Sequence, residues 1–283
     1  MSQAAAEVQT TIDYLVPTSR INRRFWAPGR EFNTGVYAPY PVTIRNARLA
    51  GPFTLDHHGF CLGQHRTRIT DWENSYGPDS AYAAQVCEVA ARLSGADVVV
   101  PMSGMVRTSG PTSATMQPPA AEAHVDFTQS CAARIAETNY RKSNPNGPGY
   151  QRFIAFSLWR ALSAPPQDMP LALCEGSSVR DDEGTHNTKV DVTEIPTGDA
   201  LYAPIEAEEK MAAATIFHYS AGHRWWYFPD MQPDEVIFIK FYDSDHSKAW
   251  RCPHTAFRDT TRTDTVPRRS IEFRAIAYFS KGH

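Results

Sequence analysis

Residues 123–127 read AHVDF, a histidine and an aspartate one residue apart in an apolar run. In an extended strand residues i and i+2 leave the same face, so His124 and Asp126 would be neighbours. An imidazole beside a carboxylate serves as an ion pair, an acid/base dyad or two ligands of a metal. Burying both uncompensated costs several kcal/mol, so a partner is expected. A second polar constellation lies near the other end of the chain, where His254 heads the run HTAF and Arg268 and Ser270 open RRSIEFR. A guanidinium fork binds a carboxylate through two parallel hydrogen bonds, and a serine hydroxyl two residues on adds a donor beside it. Two histidines and one carboxylate on one face of a metal are the arrangement of non-haem iron(II) oxygenases.

Each assignment has rivals. His218 in IFHYS and His223 in GHRWW compete with His254, but a strand histidine is commonly hydrogen-bonded in a core or pocket wall. His254 is preferred because it alone stands just ahead of the Arg/Ser strand. Alternation sends Arg268 and Arg269 to opposite faces and puts Ser270, Glu272 and Arg274 with Arg268; Arg274 could instead pair with Glu272. Trp225 and its aromatic neighbours read first as core, with one alternating member lining a pocket. Lys240 and Asp243 read as a strand-end pair.

The elements that must position these residues are mostly strands. Past residue 120 the chain breaks into short runs rich in Val, Ile, Phe, Tyr and Trp, separated by Pro, Gly and Asp clusters. These are 123–128, 152–162, 171–176, 214–220, 224–229, 235–243, 254–257 and 270–279. Residues 141–151 and 179–199 read as polar loops. The best helix is 80–94, with apolar residues at helical spacing and Ser94-Gly95 as its stop, and ADVVV (96–100) leaves it as a strand. Residues 1–50 read as extended segments and loops. The fold expected is mainly β, a double-stranded β-helix or jelly roll formed by 121–283 with N-terminal helical decoration, in one domain over 1–283.

Composition narrows the class. With 283 residues, 42% of them hydrophobic, the chain can bury a sizeable core, and 21 prolines suit a turn-rich β fold. A net charge of −3 with no basic stripe argues against nucleic acid. Five scattered cysteines form no CxxC pair, so neither a disulfide framework nor a zinc ribbon is expected. The N-terminus has no secretory pattern, and no apolar run approaches the roughly 20 residues of a bilayer span. A cytoplasmic protein is expected. GxSxG, GxxxxGK[ST], GxGxxG and HExxH are all absent.

The order HxD, PDEVIFIKFYDS, PHTAF, RRSIEFR resembles the iron(II)/2-oxoglutarate-dependent oxygenases, in particular the AsaB-like and CmcJ/NvfI-type hydroxylase/desaturase group of natural-product pathways. LDHHGF, LWRAL, PLALCEGSSV and HRWWYFP look like segments of the same group, so the likeness runs over roughly residues 10 to 280. Leu158 before Trp-Arg and Glu175 after PLAL depart from the group's usual Asn and Asp. The resemblance implies iron(II) on His124, Asp126 and His254, with 2-oxoglutarate anchored by Arg268 and Ser270 and O2 as oxidant. His223, Trp225 and Arg107 are the pocket candidates, Arg107 as a second contact to co-substrate. The implied reaction is C–H abstraction on an apolar natural-product scaffold such as a terpenoid or meroterpenoid. Its outcome is hydroxylation, desaturation, rearrangement or an endoperoxide. The competing readings are a cupin-like metalloenzyme, for example an isomerase, and a binding protein that keeps the fold without catalysis. A homodimer is entertained as the assembly.

Overall fold

The computed structural model describes residues 4–28, 30–113 and 115–280. Its strands run in chain order as β1 (Glu7–Leu15), β2 (Arg23–Ala27), β3 (Arg30–Asn33), β4 (Tyr37–Asn46), β5 (Phe60–Gln64), β6 (Val98–Thr108), β7 (Met116–Gln117) and β8 (His124–Val125). They continue as β9 (Arg152–Ala161), β10 (Leu171–Cys174), β11 (Thr185–Asp191), β12 (Ala213–Ile216), β13 (Trp225–Tyr227), β14 (Glu235–Asp243), β15 (His254–Ala256) and β16 (Arg269–Phe279). The helices are α1 (Leu55–His58), α2 (Ala81–Ser94) and α3 (Gln129–Ser143). Ten strands form one sheet in the order β1-β4-β13-β10-β15-β8-β12-β11-β2-β3, and six form the other, β5-β14-β9-β16-β6-β7. The two sheets face each other as in a jelly roll.

Alternation along the six-stranded sheet explains the layers. Ser157, Trp159 and Ala161 of β9 and Ile237, Ile239 and Phe241 of β14 point inward, where the apolar ones meet Leu171 and Leu173 of the opposite sheet. The intervening Phe156, Leu158, Val236 and Phe238 point outward and are covered by Ala83, Val86, Val89 and Ala90 of α2. Both faces are therefore buried, which is why β14 reads as a continuous apolar run rather than an alternating one. Ser80 caps α2 by accepting from the Ala83 amide, and Gly95 ends it with φ 74°, a left-handed turn that glycine adopts without steric cost.

Three expectations are corrected. The N-terminal region does not simply pack outside the sheets: the extended segments expected in residues 1–50 form β1–β4 of the ten-stranded sheet, and β5–β7 extend the other, while α2 covers its outer face. The expected polar loop 179–199 contains β11, hydrogen-bonded between β12 and β2. The texture after residue 120 is not all β, because α3 follows β8 and Asp126. Thr128 caps it by accepting from Cys131, and Ala132, Ala136 and Tyr140 face Phe153, Ile276 and Tyr278.

Lys240 faces away from the sheet interior yet is fully buried, with its ammonium on the Asp243 carboxylate at 2.5 Å and on the Ala249 carbonyl at 3.1 Å. Arg152 clamps the same carboxylate with two bonds of 2.9 and 2.7 Å. Asp243→Ala would strand two buried cations, a situation worth roughly 3–5 kcal/mol. A urea unfolding midpoint that moves by much less would show that the cluster is solvated rather than structural.

Candidate functional site

β8 is a two-residue strand squeezed between β12 and β15, and His124 sits directly opposite His254 in the β8–β15 register. The two rings lie 4.5 Å apart, and Phe241 stacks on His254 at 5.4 Å. Val125 joins the outer apolar cluster, so His124 and Asp126 face inward, as i and i+2 positions must. His124 donates its Nδ1 hydrogen to the Glu122 carbonyl (2.9 Å), and His254 donates its own to the Cys252 carbonyl (3.1 Å). Each bond holds Nδ1 and turns Nε2 towards Asp126, the usual way a backbone carbonyl orients a ligating histidine. The two Nε2 atoms stand 3.5 and 3.8 Å from the same Asp126 oxygen, Oδ1. A ligand atom from each of the three residues lies within 4.8 Å of the other two.

The other Asp126 oxygen, Oδ2, accepts from Arg274 Nε at 2.5 Å. Arg274 also donates to Glu272 (2.8 Å), and Glu272 accepts from Arg107 (3.1 Å). A chain of alternating charge thus runs from Asp126 into the cavity. Burial alone would raise the Asp126 carboxyl, but Arg274 and the two imidazoles hold it well below the usual carboxylate range. Burial pushes His124 down, yet the bond and charge of Asp126 prevail and its net shift is upward. Burial and the neighbouring His124 drive His254 down to about 4, so one ring of the pair is neutral at pH 7.

The cavity beside these residues is narrow, about 20 Å³, and opens to solvent. Its walls combine Trp159, Leu171, Ile239 and Phe241 with Arg107, Arg268 and Glu272. Arg268 is 2% exposed and donates one bond to the Met169 carbonyl at 2.7 Å, while its Nε and the Ser270 Oγ are buried without a hydrogen-bond partner. Ser157 Oγ, also on this wall, is likewise unpartnered. Burial and the nearby Arg107 lower Arg268 to about 9.

Of the residues singled out in the sequence, His124, Arg107, His254 and Arg268 line this one cavity, Asp126 lies between the two imidazoles, and Ser270 shares the inward face of β16. His223 and Trp225 do not. Trp225 packs on the outer face of the ten-stranded sheet with Val125 and donates its indole hydrogen to Tyr14. His223 is tied between Tyr14 (2.9 Å) and Glu183 (3.0 Å) in the same region. The odd positions of β13 simply face the wrong way, and Trp226 is the member that turns inward. His218 bonds to the Leu15 carbonyl at 2.9 Å, as a structural strand histidine does. Arg274, which the sequence offered only as a partner for Glu272, touches Asp126 as well. Its place on the inward face of β16 was the available signal; which carboxylate lay across the cavity was not.

The departures from the usual pattern lie elsewhere. Leu158 faces α2, outside the cavity. Glu175 sits at the far end of β10, clamped by Arg224 and bonded by Ser177 and Trp226.

A family described as "YDMC: Oxidoreductase/YMDC permease-like domain" matches residues 12–278. Curated relatives include the Fe(II)/2-oxoglutarate-dependent dioxygenase nvfI of Aspergillus novofumigatus, 27% identical over 260 residues, 89% of this chain and 87% of the relative. The hydroxylase/desaturase efuI of Hormonema carpetanum is 26% identical over 86% of this chain and 85% of its own length. Among solved structures, the iron and alpha-ketoglutarate-dependent endoperoxidase NvfI matches with a TM-score of 0.78 over 98% of this chain and 99% of that one, at 22% identity. That structural likeness concerns the fold. The resemblance read from the motifs and the relatives found by comparison coincide.

Two outcomes follow from the site's electrostatics. Arg274→Met should weaken iron(II) binding about 10- to 100-fold, the range seen when an outer partner of a ligand is lost, in an anaerobic metal titration. An unchanged affinity would mean that Arg274 does not orient Asp126. Glu175 is held at about 2, against 4.5 for an ordinary glutamate, by Arg224, Ser177 and Trp226 working against burial. A depressed carboxylate stabilises the fold above pH 4.5 and loses that contribution as pH falls towards 2. Thermal melts across that window should therefore show a shallower pH slope in Glu175→Gln than in the parent.

Proposed function

This chain belongs to the oxidoreductase family whose match spans residues 12–278, and from that premise we propose that it is an iron(II)- and 2-oxoglutarate-dependent oxygenase. The observation that carries the reading is the convergence of His124, Asp126 and His254, each histidine with its Nδ1 hydrogen already engaged and its Nε2 turned to Asp126 Oδ1. Two imidazoles and one carboxylate suit iron(II), and a set confined to one face leaves room for co-substrate and oxygen. The orphaned donors of Arg268 and Ser270 call for an anion in the same cavity, since an unmatched buried donor costs about 1–3 kcal/mol.

In this reading His124, Asp126 and His254 hold the metal, and Arg268 with Ser270 holds the distal carboxylate of 2-oxoglutarate. Iron(II) with that co-substrate and O2 supplies oxidation of an unactivated C–H bond. The protein's own part is to position and to exclude. Arg274 keeps Asp126 Oδ2 occupied so that Oδ1 is the oxygen offered to the metal, Phe241 braces the His254 ring, and Trp159, Leu171 and Ile239 keep water from the reacting groups.

The apolar wall supports a hydrophobic natural-product substrate, as for a terpenoid or meroterpenoid. The relatives' names support oxidative tailoring: one is called a dioxygenase, another a hydroxylase/desaturase, and one solved structure an endoperoxidase. Which oxidative outcome results depends on where the substrate carbon lies to within about 1 Å. The five free cysteines suit a reducing compartment such as the cytoplasm, and no helix among the described residues is long and apolar enough to cross a membrane.

Anaerobic addition of iron(II) and 2-oxoglutarate together should produce a visible charge-transfer band, and air should then yield succinate. His254→Ala should abolish both signals. Arg268→Ala should keep iron affinity and weaken 2-oxoglutarate binding about tenfold or more, the loss expected for a bidentate charged contact. Metal binding that never responds to 2-oxoglutarate would instead support the cupin-like metalloenzyme.

A further inference from the structure

Arg107 stands directly across from Ser270 in the β6–β16 register, on the same face, with Glu272 of β16 and Arg268, just ahead of that strand, as its diagonal neighbours. Two guanidinium groups therefore border one cavity together with a carboxylate, and their side chains are largely buried. An incoming carboxylate meets Arg268 with an unpartnered Nε and Ser270 with an unpartnered hydroxyl, but it also meets the charge of Glu272. Glu272 has two cationic partners, Arg107 at 3.1 Å and Arg274 at 2.8 Å. Arg274 is committed to Asp126 as well, whereas the other recorded bond of Arg107 is to a single backbone carbonyl, Pro118, at 2.9 Å. Arg107 is the arm that can be shared without leaving Glu272 alone.

We propose that Arg107 and Glu272 form a carboxylate-exchange pair. In the protein without co-substrate Glu272 occupies the Arg107 guanidinium. When 2-oxoglutarate enters, its distal carboxylate takes a share of that guanidinium beside Arg268 and Ser270, and Arg274 retains Glu272. This inference rests on the 2-oxoglutarate reading and adds to it a positioning role for Glu272: it keeps a second anchor folded into the cavity and sets a threshold that only a ligand ending in a carboxylate overcomes.

The test is anaerobic calorimetry on the full chain loaded with manganese(II), comparing 2-oxoglutarate with 2-oxopentanoate, the same five-carbon chain ending in a methyl group. Glu272→Gln keeps the side-chain shape and removes the competing charge, so 2-oxoglutarate should bind several-fold tighter while 2-oxopentanoate is unaffected. The charge-neutral double variant Arg107→Met/Glu272→Gln leaves the net charge of the cavity as it was. It should nevertheless bind 2-oxoglutarate about tenfold more weakly and lose a similar factor of selectivity over 2-oxopentanoate. A double variant with parental selectivity would overturn the direct contact, and a Glu272→Gln protein that binds 2-oxoglutarate no better than the parent would overturn the exchange. A parent chain that binds neither acid would instead remove the co-substrate reading, and this inference with it.

Discussion

Asp126 places a buried carboxylate between two imidazoles beside the cavity, where an unpaired charge would cost several kcal/mol to bury. Arg274 resolves that cost by engaging Oδ2, which leaves Oδ1 facing the two imidazoles. A guanidinium suits this position better than an ammonium because its planar donors can serve Asp126 and Glu272 at once. Everything else at the site builds on this contact. The ion chain through Glu272 to Arg107 carries the same charge logic to the place where a dicarboxylate would end.

The sandwich supplies what such a chain needs: rigid, doubly covered strands. β16 lies between β9 and β6, and its inward positions Ser270, Glu272 and Arg274 line up from beside Arg268 towards Asp126. Its outward positions Ile271, Phe273 and Ala275 pack with α2 and neighbouring strands. Register is thus fixed by burial on both sides, because a slip of one residue would put apolar groups at the metal and charges under the helix. On the opposite sheet, β8 is held between β12 and β15, with His124 in the strand and Asp126 just beyond its end.

Much of this was legible in the chain. The HxD pair and the Arg268/Ser270 pair stand out because period-2 alternation turns spacing into a shared face, while each is unspecific alone and gains meaning from its order with the PDEVIFIKFYDS and PHTAF segments. The best helix and the apolar strands from Arg152 onward were also readable, since propensity and burial agree there. Residues 1–50 read as extended, but their place in the sheet did not, because β4 pairs with β13 and β2 with β11, both distant in sequence; β11 itself was hidden in a polar stretch. α3 hid for a related reason, its buried positions being few and small, so that Ala132, Ala136 and Tyr140 made a faint stripe.

What the sequence alone determined was the chemistry on offer: which residue types could hold a metal and an anion, and which of them had to share a face within one strand. What only the tertiary structure decided was who meets whom across strands. It turned Trp225 and His223 to the outer face, gave Glu272 two cations, and brought Arg274 to a carboxylate 148 residues away in the chain. Local spacing fixes direction within an element, but pairing between elements depends on sheet order and packing, which no local pattern encodes.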